Sequence, residues 1–331
     1  MNTMIDRFGF MRLSSAFFLI ITLVSCNLDD GNTINRPSSN IVEVASNIGQ
    51  LSSFVAALDR ANLTTILQTT GGLTVLAPSD AAFGNFLSQQ GFANLEAVPA
   101  ETLEQILLNH VILGQIDSSF LSNLQRNYLE TLAEGPTTGS KVALYFDATN
   151  DIFFNGASKV IDGDVLAANG IIHIVDAVIP IPTLDTFISV DDNFEDLNSA
   201  LDIITPISDI PEGVKDGGPF TVFAPTNLAF DNLLATNTAW NSVGDIDEDL
   251  LAAVIAHHVL AGNIRSADIS SGETATTLEG DTITFNTVNG NLEITDGSGN
   301  TGALVVFVDI QASNGVIHVL ADQVLLPDTG N

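Results

Sequence analysis

Apolar positions along this chain change their period partway through each of two long stretches. Leu51, Phe54, Val55 and Leu58 fall at helical spacing and predict an amphipathic helix. Leu103, Ile106, Leu107 and His110 form a second such stripe, at i, i+3, i+4 and i+7. Short apolar runs at 73–76 and 220–223 read as buried strands ending at Ala-Pro, with Ser79 or Thr226 placed to cap the helix that follows. Later the pattern turns to alternation. KVALYFD (141–147) and DTITFNTV (281–288) predict strands, and Asn289-Gly290 and Asp296-Gly297 predict hairpin turns. Residues 171–175, Ile-Ile-His-Ile-Val, are apolar on both faces and predict a central strand. Helices early and strands late make the fold class α+β.

The pattern occurs twice. LTVLAPSDAAF (73–83) matches FTVFAPTNLAF (220–230), and HVILGQI (110–116) matches HVLAGNI (258–264). A third block, DVLAANGIIHIVDAVIP (164–180), matches DIQASNGVIHVLADQVL (309–325). Three blocks in one order at nearly constant offset mean duplication of a domain-sized unit. The seam falls at Ile179-Pro180-Ile181-Pro182, where two prolines stiffen a very short connector.

The N-terminus reads as an address. Arg7 and Arg12 precede an apolar run over 13–24 of secretory size, which ends Leu23-Val24-Ser25-Cys26. That ending resembles the lipobox of bacterial lipoproteins. The resemblance implies cleavage before Cys26, diacylation of its sulfur, and an exported protein held at the outer membrane or cell surface. Cys26 is the one cysteine, so no intrachain disulfide forms. Asn27-Leu28-Asp29-Asp30 is similar to the acidic tag that routes some bacterial lipoproteins outward. The chain therefore divides into a signal peptide (1–25), a flexible tether (26–39), two repeats (40–182 and 183–327) and a tail (328–331).

Charge narrows the partners. The sequence has 9 basic and 40 acidic residues, a formal net charge of −31. Such a surface repels nucleic-acid phosphates and anionic headgroups, so no nucleic-acid partner is expected, and membrane contact is expected through the lipid anchor only. It suits a soluble exterior face, or a partner that is cationic or bridged by divalent ions.

The three repeated blocks are similar to the signature of fasciclin-type domains: a buried strand into T-V-[FL]-A-P-[ST]-[DN]-x-A-F, a helix ending H-V-x-x-G, and a late N-G-[VI]-I-H-[IV]. The resemblance covers about residues 40–327. It implies a compact wedge in each repeat, a twisted β-sandwich with packed helices, and roles in adhesion, matrix contact or surface association without enzymatic activity. The helix-end motif of the family is commonly tyrosine–histidine, whereas here it is Asn109-His110 and His257-His258. An adhesive Asp-Ile pair of animal relatives corresponds to Asp309-Ile310 and, less closely, to Asp164-Val165. The candidate binding residues implied are thus Asp309, Ile310, Asp164, Val165, His258 and His110, toward an extracellular protein or polysaccharide.

Chemistry competes poorly with this reading. All five histidines, His110, His173, His257, His258 and His318, lie in the repeated blocks. Their apolar surroundings predict buried rings paired to backbone groups rather than a metal or acid–base set. The mature chain holds no free cysteine, no G-x-S-x-G elbow and no HExxH pair, so no catalytic residue, metal or cofactor is expected. The acidic run 245–249 lacks the glycine and spacing of a calcium loop and sits where carboxylates cap a helix. A second functional reading, an accessory glycan-associated lipoprotein of an outer-membrane uptake system, predicts a gully of exposed aromatics, for which the chain has only Trp240, Tyr128 and Tyr145 beyond its phenylalanines.

Overall fold

A computed structural model of the chain describes residues 37–205, 208 and 210–328. Cys26, the signal peptide, most of the tether and the last three residues lie outside the described residues.

The first repeat opens with helices Ile41–Ser46, Ser52–Arg60 and Thr64–Thr69, then strand β1 (Leu73–Pro78). Helices Asp80–Gln89 and Ala100–Leu108 lead to β2 (Val111–Leu113), and helix Ser118–Leu124 follows. Five strands end the repeat: β3 (Arg126–Glu134), β4 (Lys141–Asp147), β5 (Phe153–Phe154), β6 (Ser158–Ala167) and β7 (Gly170–Val175). The second repeat has helices Leu184–Val190, Glu195–Ile204 and Ile210–Asp216, then β8 (Phe220–Pro225). Helices Asn227–Leu234 and Glu248–His257 precede β9 (Val259–Ala261), β10 (Thr274–Thr276), β11 (Thr282–Val288), β12 (Asn291–Thr295), β13 (Ala303–Ala312) and β14 (Gly315–Leu320).

Each repeat is a sheet with helices packed on it. In both, the early strand pairs parallel to the last one, β1 with β7 and β8 with β14, while the remaining neighbours are antiparallel. The seven strands of the first repeat close into a barrel, joined between β2 and β3 at Ile112↔Thr131. The second has the same strand order without that ladder; there Leu278 N donates to Val259 O at 2.8 Å.

Why β1 is apolar throughout follows from its position. Leu73, Val75 and Ala77 face the helices and join Phe54, Leu58, Leu103 and Leu107. Leu76 faces the barrel interior with Ile112, Leu144, Phe146 and Phe154. Burial on both faces selects an unbroken apolar run, as in parallel sheets. The expected caps form: Ser79 Oγ accepts from Ala82 N at 3.2 Å, and Thr226 Oγ1 from Ala229 N at 3.4 Å. Asp247, from the acidic run, caps its helix through Leu250 N. The Asn289-Gly290 hairpin joins β11 and β12, with both residues at positive φ as a type I′ turn requires. Asp296-Gly297 is not a two-residue turn. It opens a longer loop between Thr295 and Ala303, because Asp296 is buried and accepts from Asn300 and Leu326 instead.

The two repeats share a packed seam. Ala143 and Tyr145 of β4 belong to the same buried cluster as Leu184, Phe187 and Ile310. Tyr128 of β3 packs against Tyr145, Phe187 and Phe307, with ring centroids 5.2, 5.4 and 6.0 Å away. Its hydroxyl donates to Asp191 Oδ2 at 2.7 Å. Burial pushes that hydroxyl well above its usual pKa and raises the Asp191 carboxyl as well. Arg126 links the halves, with Nε on Asp147 at 2.8 Å and Nη1 on Asp192 at 2.9 Å. Asn263 of the second repeat donates to Thr137 Oγ1 of the first at 3.2 Å.

Candidate functional site

The helix-end histidines are interior bridges. His110 and His258 are 0% and 1% exposed. Each ring contacts the carbonyl four residues back through Nδ1, Ile106 O or Val254 O, both at 2.7 Å. Nε2 accepts from a distant backbone amide, Ile179 N at 2.9 Å or Leu325 N at 2.8 Å. An Nε2 that accepts leaves the ring proton on Nδ1, where it is donated to the carbonyl. Burial lowers both pKa values to about 4. A partner could touch neither ring without opening the core.

The strand histidines repeat a second device. His173 Nε2 contacts Ile116 O at 2.8 Å, and His318 Nε2 contacts Ile264 O at 2.9 Å. Their Nδ1 atoms accept, at 3.3 Å, from Asp164 N and Asp309 N. Those aspartates sit at φ 58° and 63°, the left-handed region that aspartate tolerates better than most residues. Asp164 Oδ1 accepts from Ser118 N at 2.8 Å, and Asp309 Oδ1 from Ser266 N at 2.8 Å. Asp309 Oδ2 also accepts from Ser266 Oγ at 2.5 Å and lies 3.8 Å from Arg265 Nη2, leaving its side chain 19% exposed.

These placements sort the six residues implied by resemblance. Ile310 is 1% exposed and belongs to the core, Val165 packs half-buried against the helix-side core, and both histidines are interior. Asp309 is held by Ser266 and Arg265 from the segment after β9. Asp164 alone of the six is exposed, so the first repeat, the poorer match to the Asp-Ile pattern, presents the more accessible aspartate. No common surface is formed by the histidines and the Asp-Ile pairs together.

Sequence reasoning missed the residues that join the three blocks. Thr74 and Thr221, buried in β1 and β8, each donate from Oγ1 to Gly114 O or Gly262 O and accept from Ile116 N or Ile264 N. Asn169 Oδ1 accepts from Ile41 N, while its amide donates to Leu67 O and Thr70 O. Asn314 does the same with Leu184 N and the carbonyls of Val214 and Lys215. A threonine at the same place in both apolar runs was the available signal.

Two further places have site-like chemistry. His257, Glu279 and Asp281 each bring one ligand-type atom within 4.8 Å of the others. Yet His257 Nε2 accepts from Gly297 N at 3.0 Å, which leaves the ring proton on Nδ1, facing Thr277 Oγ1 at 3.3 Å and Glu279 Oε2 at 3.4 Å. A metal on Nδ1 would have to displace that proton, and moving it to Nε2 would set it against the Gly297 amide. The geometry is that of a hydrogen-bonded ring. Beside the seam, a cavity of about 350 Å³ is lined by Asp191, Asp192 and Glu195. Asp191 there is already occupied by Tyr128 and Asn193. The aromatics expected of a glycan gully do not gather in one: Tyr128 and Tyr145 fill the seam, and Trp240 packs against the second repeat's core.

Among the described residues no helix is long and apolar enough to cross a membrane. The family model for the fasciclin domain matches residues 49–182 and 193–327. Human periostin is 29% identical over 274 residues, covering 82% of this chain and 30% of that protein. Protein sll1483 of Synechocystis is 41% identical over 120 residues, covering 36% of this chain and 62% of that protein. The chain thus spans less than two thirds of either relative. A solved FAS1 domain pair from the insect cell adhesion molecule Fasciclin I aligns with TM-score 0.47 at 18% identity, over 82% of this chain and 92% of that one.

Proposed function

Because the chain belongs to the fasciclin-domain family, with one matched domain in each repeat, we propose that it is a non-enzymatic binding protein of the cell exterior. It is lipid-anchored through Cys26 at the outer membrane or cell surface and contacts cells, matrix protein or polysaccharide. One observation carries the preference for binding over catalysis. Each of the five histidines has both ring nitrogens within hydrogen-bonding distance of a partner inside the fold. A general base needs a ring nitrogen free to reach a substrate proton. The proposed ligand surface is extended and acidic, which suits cationic partners or glycans bridged by divalent ions.

Immobilised protein beginning at residue 27 tests this on a panel of matrix proteins and polysaccharides, with and without calcium. Saturable binding that disappears on thermal unfolding is expected. Silence across the panel, with unchanged attachment of cells lacking the gene, would sink the binding reading. Anchoring is read separately: Cys26→Ala should move the protein out of the membrane fraction, since loss of the acyl chains removes nearly all anchoring energy.

A further inference from the structure

Around the Ser118–Asp164 hydrogen bond the first repeat leaves large apolar side chains in solvent. Phe120, two residues past Ser118, is 46% exposed. Ile161 and Leu166, on β6 either side of Asp164, are 49% and 58% exposed.

The second repeat builds the same corner around Ser266 and Asp309 and treats it differently. Asp268, Val306 and Gln311 occupy the corresponding positions. Val306 packs against the cluster shared by both repeats. Gln311 is 1% exposed, its Cγ only 3.0 Å from where a Cβ on Gly135 of the first repeat would lie. At these three positions the second repeat thus exposes no large apolar side chain, although Phe307 and Val308, next to Asp309, are each 37% exposed.

The chain arrives at that corner from its N-terminal side. Ala168 N, two residues past Leu166, donates to Ser39 O at 2.8 Å. Only residues 27–36 lie between Cys26 and the first described residue, Pro37. Even fully extended they reach no farther than about 40 Å.

We propose that this corner of the first repeat docks on the lipid surface that holds Cys26, with Phe120, Ile161 and Leu166 in the headgroup layer. The proposal rests on the lipid-anchor reading above and adds a second, protein-borne contact to it. Partly inserted apolar side chains bind bilayer interfaces in proportion to the area they bury, and a lipid anchor is strengthened by a second attachment. Asp117, Asp162 and Asp164 border the corner and are exposed. Zwitterionic headgroups therefore suit it better than bare anionic ones.

The chain from Cys26 onward has one thiol and one tryptophan, Trp240. Coupling Cys26 to a maleimide-headgroup lipid in phosphatidylcholine vesicles supplies the anchor without native acylation. In a Trp240→Phe background, Leu166→Trp should shift its emission to the blue on vesicles and be quenched by brominated acyl chains. Ala261→Trp in the second repeat should show neither change. Adding Phe120→Ser and Ile161→Ser should reduce the quenching, and anionic vesicles without divalent ions should give less of it. Hydrogen exchange of the unsubstituted chain checks the result independently: amides in 117–124 and 158–168 should slow on vesicles. Unchanged emission and unchanged exchange overturn the proposal. A blue shift in unanchored Cys26→Ser protein on concentration, with a dimer mass by light scattering, also overturns it and assigns the corner to a second copy. Failure of the anchor reading shows elsewhere, as absence of lipid label on Cys26 in cells, and leaves the vesicle result standing.

Discussion

At the scale of single residues, the titratable groups of the repeated blocks act as connectors. His110 and His258 stay neutral down to a pKa of about 4 because burial penalises the charged ring. Unfolded, each would titrate near its ordinary value of about 6.5. Between those values the unfolded chain binds more protons, so stability rises with pH; the contribution is complete above about pH 6.5 and is lost as pH falls toward 4. Each ring should steepen the dependence by about 1.4 kcal/mol per pH unit in that window. Relief of repulsion among the many carboxylates opposes this on acidification, so the informative quantity is a difference. His110→Gln should flatten the plot of melting temperature against pH between 6.5 and 4 relative to wild type. An unchanged slope would mean the ring titrates normally in the folded state. Asp309 makes a second case. Asp309→Ala removes the acceptor of Ser266 N and Oγ and puts alanine at φ 63°. A cost of roughly 1–3 kcal/mol is expected in chemical denaturation. Asp309→Asn, which keeps an acceptor and tolerates that backbone, should cost less. If Asp309→Ala melts like wild type and loses attachment, the aspartate is a contact residue after all.

At the scale of elements, the three blocks prove to be parts of one clamp. Thr74 in β1 holds the Gly114–Ile116 loop, His173 in β7 holds Ile116 O from the neighbouring strand, and Asn169 ties the β6–β7 turn to the first helix. Thr221, His318 and Asn314 do the same in the second repeat. Thr221→Val keeps shape but leaves Gly262 O and Ile264 N without their side-chain partner, and should lower stability by roughly 1–3 kcal/mol. Urea denaturation followed by circular dichroism measures it; a loss below about 0.5 kcal/mol would show that water replaces the hydroxyl. The elements themselves were legible in the sequence because their burial is periodic. The Leu103–His110 stripe, the doubly buried 73–76 run and the Ser79 and Thr226 caps all depend on near neighbours. The clamp was not legible, since Thr74 and Ile116 are brought together only by tertiary pairing. The Asp296 loop was misread for the same reason: its aspartate serves Leu326, far along the chain. The resemblance marked Asp309-Ile310 as a contact pair, but residue type alone cannot distinguish a surface aspartate from one bound to a segment 43 residues away.

At the scale of the whole molecule, the seam decides whether the protein acts as one body or two. The connector is only a few residues long, and Asn109 Nδ2 donates to both Ile179 O and Pro180 O at its start. Beyond it, Tyr128 lies among Tyr145, Phe187 and Phe307, and its hydroxyl satisfies a buried carboxylate of the other repeat. Opening the seam would expose those rings and strip Asp191 Oδ2 of its Tyr128 donor, a combination more costly than separating two polar surfaces. A single relative orientation is therefore expected. With Cys26→Ser in the background, spin labels at Ser88→Cys and Thr236→Cys should give one narrow distance distribution, and small-angle scattering should fit one elongated body. Tyr128→Ala with Arg126→Ala removes the ring, the donor to Asp191 and the ion pair to Asp192 in one step. In that variant the distribution should broaden while each repeat keeps its circular dichroism. A broad distribution already present in the wild type would mean that the seam closes only transiently. The corner around Leu166 would then hold the first repeat near the membrane without fixing where the second one points.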